Sequence, residues 1–333
     1  MNKNTLLIAV TLTSSLLWAG CNKSGKLHEK SKFTPPSGPM ELKQKWPKGE
    51  QIVKHIDMKM NSEINVPNLP NPIKQETSMG QKYGITVADE DANGGHEVDL
   101  EFLVMSMKMK QGDKTMIDYD SETKSSETSP QQAAAEKMFQ GVIGTKLQYF
   151  LNATNGVDRV EGIDALMNHL QSGGPAGGNN GIKDMFNDAY LQQMLGDSRY
   201  LPPKPVQPSD TWPVQFDMKL GTLGNLSINY NFTFTRWEQH GQRTCARLEF
   251  DGTLKGSPVQ NPDPKAMSMS VDNGTTSGVS WFDPELGATI DSDLNQDIAM
   301  TISMPVNMRG KTSTQTMKMQ MHQVLNIKLD SVK

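Results

Sequence analysis

The stretch Ile52-Val53-Lys54-His55-Ile56-Asp57-Met58-Lys59-Met60 decides the fold. Ile56, Met58 and Met60 occupy alternate positions, with His55, Asp57 and Lys59 between them. A repeat of two puts the two sets on opposite faces of an extended strand, whereas a helix would bring apolar residues back at three and four. One apolar face and one polar face describe a sheet packed on one side and wet on the other. The same alternation predicts strands over residues 75–87, 97–109 and 115–119. Turns fall at Asp89-Glu90-Asp91-Ala92-Asn93-Gly94-Gly95 and Gln111-Gly112-Asp113. In the 97–109 strand the apolar phase runs through Val98, Leu100, Phe102 and Val104, then slips to Met105, Met107 and Met109. A slip of one residue predicts a bulge.

Helix-forming sequence is confined to the middle of the chain. Ser129-Pro130 reads as an N-cap and first helical residue, leading into Gln131–Gln140, with Gly141 as the stop. Asn155-Gly156 is a two-residue hairpin signal between strands at 147–153 and 157–161. Helices are expected at 163–171 and 182–195, the second closed by Gly196 and preceded by the glycine-rich run from Ser172 to Gly181. After the proline-rich stretch Leu201–Pro208, the alternation returns. It predicts strands at 213–220, 226–238, 243–255, 266–271, 278–282, 288–304 and 312–329. Short turns join them, including Asp272-Asn273-Gly274, and such connections imply antiparallel pairing. The fold class is therefore mainly β. It is a large antiparallel sheet, curved or two-layered, with a small helical insertion near residues 130–195.

At the N-terminus Lys3 precedes an apolar run from Leu6 to Leu17, followed by Trp18-Ala19-Gly20-Cys21. The layout is that of an export signal, and the run is too short to span a bilayer. Small residues directly before a cysteine resemble the bacterial lipobox, although Trp18 stands where that motif has an aliphatic residue. The resemblance implies cleavage before Cys21, lipid attachment at Cys21 and anchoring to the bilayer. Asn22, rather than an aspartate, implies the outer membrane facing the periplasm. Residues 1–20 are then a signal peptide. Residues 21–40, rich in Lys, Ser, Pro and Gly, read as a flexible tether, and residues 41–333 as one domain.

The 333 residues carry a net charge of −4 and no long basic run, which argues against nucleic acid as a partner. The chain holds no His-Glu-x-x-His pair, Gly-x-Ser-x-Gly elbow or phosphate loop, and its six histidines are scattered. No enzymatic activity, metal or cofactor is expected. Asp89, Asp91 and Asn93 before Gly94 match the opening of a calcium loop, but Leu100 stands where the closing glutamate belongs. An ordinary turn is expected there. If Cys21 carries lipid, Cys245 is left single and reads as a small buried hydrophobe.

Methionine is the compositional outlier, with 22 residues. It alternates at Met58 and Met60; Met105, Met107 and Met109; Met267 and Met269; and Met317, Met319 and Met321. Each set occupies one sheet face. Three readings stand: soft filler of a core, a pliable groove for an acyl chain or other hydrophobic ligand, and thioether ligation of Cu(I).

Several stretches in this order resemble an uncharacterised family of bacterial envelope lipoproteins classed as a domain of unknown function. They are Trp46-Pro47-Lys48-Gly49-Glu50, Asp118-Tyr119-Asp120-Ser121, Asn155-Gly156-Val157 through Val160-Glu161-Gly162, Leu201-Pro202-Pro203 with Asp210-Thr211-Trp212, and Phe282-Asp283 through Gly287. The resemblance implies a β-rich exported domain and supplies no catalytic residues. Long antiparallel strands behind a lipobox are also similar, at the level of fold, to lipid-carrier and lipoprotein-localisation half-barrels. Two functions are expected from these features. One is an anchored lipoprotein binding a hydrophobic ligand on the methionine-rich face, and the other is a structural lipoprotein docking to another envelope component.

Overall fold

The computed structural model describes residues 26–67, 69–90, 92–123, 130–173, 195–219, 225–257, 268–308 and 311–332. The strands are β1 (Gln51–Asn65), β2 (Ile73–Glu90), β3 (His96–Gln111), β4 (Lys114–Asp120), β5 (Lys146–Leu151) and β6 (Val157–Glu161). They continue as β7 (Thr211–Lys219), β8 (Asn225–His240), β9 (Arg243–Ser257), β10 (Ser268–Asp283), β11 (Ala288–Met308) and β12 (Lys311–Val332). Helices α1 (Pro130–Val142) and α2 (Ile163–Gly173) interrupt the series.

All twelve strands join one antiparallel sheet, ordered β6-β5-β3-β2-β1-β12-β11-β10-β9-β8-β7, with β4 paired to β3 off this path. Two arms of neighbouring strands meet where β1 pairs with β12 along nearly its whole length. The strands therefore form one continuous hydrogen-bonded sheet, open at β6 and β7 among the described residues.

The bulge in β3 is present: Phe102 faces Tyr83, and Val104 faces Lys82, leaving Leu103 as the extra residue. Val104, expected on the apolar face, consequently lies on the other one. The two strands expected around Asp272-Asn273-Gly274 are a single strand, β10. Asp272 is its extra residue, since Val271 faces Met300 and Asn273 faces Ala299. Asp, Asn and Gly suit a bulge as well as a turn. Helix α1 runs through Gly141 to Val142, and the chain reverses at Gly144, whose φ is +79°. The predicted helix at 182–195 lies outside the described residues except for Leu195, and Gly196 opens a short 3₁₀ turn to Tyr200. Asn155 adopts the left-handed φ of +62° in the β5–β6 hairpin, as an Asn-Gly turn requires.

The stretch expected as a flexible tether is docked from Lys26 onward. Lys26 pairs with Glu50. Ser31 donates its hydroxyl to Glu285 at 2.8 Å and its amide to the Gln242 carbonyl at 2.8 Å. The Phe33 ring lies 5.2 Å from that of Trp237. Met40 and Val206 exchange backbone hydrogen bonds. This strap then crosses the end of the sheet, where Leu42 enters one apolar core and Trp46 the other. The Trp46 indole N–H donates to Asn155 Oδ1 at 2.8 Å.

A candidate ligand-binding face

The pairing registers bring residues from ten strands into one row across the sheet. Tyr119 faces Met107, Met107 faces Met79, and Met79 faces Met58. The row continues through Leu325, Leu294, Gly278, Phe250 and Phe232 to Trp212. Two residues along, a second row holds Ile117, Met109, Thr77 and Met60, then Gln323, Gln296 and Thr276. Because side chains alternate strictly, both rows project from one face. Met105 enters this face beyond the bulge, opposite Gln81. Met321 joins it opposite Ile298, Met319 opposite Met300, and Met317 opposite Ile302. The backbone of Met269 pairs with Ile302. Methionine sets that lie far apart in sequence thus form one surface. Cys21 and Met267 lie outside the described residues.

Burial varies along this face. Near the strap it is hard-packed: Ile85, Val98 and Leu100 are almost fully buried, with Ile52, Leu329 and Val332 beside them. Helices α1 and α2 cover that arm. The Phe139 ring stacks on Tyr119 at 5.1 Å, and Gln132 bonds both the amide and the carbonyl of Asp118. A second core fills the arm from β7 to β11, where Trp212 stacks on Phe232 at 5.7 Å. Between the two cores lie Met58, Met60, Met79 and Met109, with Leu325 and Ile327, half-buried and in neither cluster. Met107 packs at the margin of the first core, and Met319 and Met321 at that of the second. Of the described methionines on this face, Met105 and Met300 are buried, at 6% exposure each. The methionines therefore divide between core filler and accessible face.

Polar groups are absorbed elsewhere. A cleft of about 600 Å³ spans β12 to β4, lined mostly by residues of the opposite register such as Asp57, Lys59, Ser106 and Asp118, with Met58, Met79, Met107 and Tyr119 also contributing. Its charges are paired in part, as in Lys108 with Asp118 at 2.6 Å. At the end of β2, Asp89 accepts from Lys48 and from the Glu90 amide, and both bonds hold its carboxyl below the usual range. Asp91 lies outside the described residues. At the strap, buried Arg243 pairs with fully buried Asp283 and donates to Glu285 at 2.9 Å. Cys245 is buried, and burial pushes its thiol well up. No group of three or more His, Cys, Asp or Glu side chains suited to a metal occurs among the described residues.

Sequence reading missed Met79, Leu325 and Leu294. Met79 stands alone in Ser78-Met79-Gly80, so no alternation marks it, and only its cross-strand partners reveal its place. Leu325 could have been found by extending the 317–321 alternation along β12.

A family model described as "Family of unknown function (DUF6263)" matches residues 93–289. No curated protein matches. Among solved structures, the chain is similar to lipovitellin, from work on its lipid–protein interactions, at 10% identity and a TM-score of 0.41. That match covers 87% of this chain, which spans about a quarter (26%) of the lipovitellin chain. A putative exported protein with a YmcC-like fold from Bacteroides fragilis NCTC 9343 is 11% identical, with a TM-score of 0.29, covering 88% of this chain and 100% of that one. An outer membrane channel from Pseudomonas putida F1 is 7% identical, with a TM-score of 0.22 and the same coverage, 88% and 100%. None of the three bears on function.

Proposed function

The chain belongs to the DUF6263 family, whose function is unknown, and from that premise we propose a non-enzymatic envelope lipoprotein that binds an amphiphile on its methionine face. Cys21 carries the lipid and holds the domain at the outer membrane, facing the periplasm. The observation that carries the ligand reading is the half-buried strip of Met58, Met60, Met79 and Met109 between two filled cores. A core built for rigidity would use Ile, Val and Leu there, because their rotamers are better defined. Unbranched thioether side chains instead reshape around an irregular apolar guest at little cost.

The strip also holds Gln81, Gln323, Gln296 and Thr77, and Gln323 donates to the Met58 sulfur at 3.0 Å. Apolar rows interleaved with amides suit a molecule having both a chain and polar groups. An acyl amphiphile fits better than a pure hydrocarbon.

Titration of the mature protein with a fluorescent fatty-acid probe tests the reading. Saturable binding is expected, displaced by unlabelled fatty acid and lost in Met107→Lys, which sets an ammonium among the thioethers. A Met107→Lys protein that unfolds at the same denaturant concentration as the parent and still binds the probe would contradict it, as would absence of binding by the parent.

A further inference from the structure

The strap fixes which end of the molecule meets the bilayer. From Lys26 the chain is held by Glu50, by the β8–β9 turn through Gln242, and by the β10–β11 turn through Glu285. Only four residues, Asn22 to Gly25, separate Cys21 from Lys26. Fully extended, they hold Lys26 within about 18 Å of the acylated cysteine. Strand β1 starts beside Glu50 and runs 15 residues away from the strap, about 50 Å at the strand rise. Its far end, with the β3–β4 turn at Gly112 and Asp113, lies beyond the reach of the anchor unless the sheet lies flat.

Charge opposes the flat arrangement. Residues 22–50 carry seven lysines against three glutamates, whereas residues 51–333 carry 25 basic against 34 acidic side chains. An anionic leaflet attracts the first segment and repels the acidic body. Far-end lysines such as Lys110, Lys114 and Lys318 are kept from the same leaflet by the docked strap.

We infer that the strap end, through Lys30, Lys32 and Lys43, rests on the anionic phospholipid headgroups of the anchoring leaflet, and that the far end of the sheet projects away from that membrane. The inference rests on the lipid anchor proposed above. On this geometry the methionine strip opens away from its own bilayer, so an amphiphile reaches it from the periplasmic side.

The acylated protein, labelled with a fluorophore at Lys43→Cys or Asp113→Cys, is bound to phosphatidylethanolamine–phosphatidylglycerol vesicles containing a headgroup spin-labelled lipid. Buried Cys245 stays unlabelled. The Lys43→Cys label should be quenched and the Asp113→Cys label should not. Equal quenching at both sites, or stronger quenching at position 113, overturns the orientation and leaves the anchor standing. Flotation with the vesicles is read in the same samples, with Cys21→Ser as the comparison. If wild type floats no better than Cys21→Ser, the anchor fails and the orientation with it.

Discussion

Arg243 is 4% exposed and Asp283 is fully buried, so their ion pair is nearly dry. Removing one partner from such a pair leaves a buried charge uncompensated. Arg243→Ala should therefore destabilise the fold by about 3–5 kcal/mol in urea unfolding. A loss near zero would mean that water reaches Asp283. Glu285, at the edge of the same cluster, governs the strap. Burial alone would raise its carboxyl, but the Ser31 hydroxyl, the Arg243 guanidinium and the Lys32 amide together hold it below the ordinary glutamate range. A group lowered on folding stabilises above its unfolded value, about 4.3, and that contribution is lost as pH falls through the lowered value. The strap should stay docked at neutral pH and loosen below about pH 4, seen as release of Phe33 from Trp237 by NMR. In Glu285→Gln that acid transition should disappear, and its persistence would place the titrating group elsewhere.

At the scale of the element, the row across the sheet needs a gap at Gly278. A Cβ there would meet the Asp293 carbonyl at 2.3 Å and the Phe250 ring at 2.4 Å. Gly278→Ala should cost about 1–3 kcal/mol by overpacking, whereas Gly38→Ala, which meets nothing within 4 Å, should be nearly neutral. Equal urea midpoints for both would show that the Asp293 backbone and the Phe250 ring both move aside. Much of this level was legible in the sequence. Period-two alternation located β1, β2, β3 and β12, and the phase slip announced the β3 bulge. Residue types alone did not decide bulge from turn at Asp272, because the chemistry is shared. Nor could they show that Leu103, and not Val104, is the extra residue in β3. Register was out of reach, since β1 and β12 stand at opposite ends of the chain and their pairing depends on the closure of everything between. The single methionine surface exists only through that register. Docking of the strap was hidden for the same reason: a polar, proline-containing segment reads as spacer until Gln242 and Glu285 are brought beside it.

For the whole molecule, the sheet is sealed by aliphatic side chains and the strap at one end, and its two arms are filled by separate cores. The methionine strip lies between them, and the account stands on that strip being open to a guest. Sulfoxide formation follows exposure, so mild peroxide oxidation read by peptide mass spectrometry reports the strip directly. Met58, Met60, Met79 and Met109 should oxidise well before Met105 and Met300 in the free protein. Saturating fatty acid should slow the first four selectively and leave the rest unchanged. Uniformly slow oxidation of all six, or fast oxidation of the four that fatty acid does not slow, would contradict a ligand-binding face.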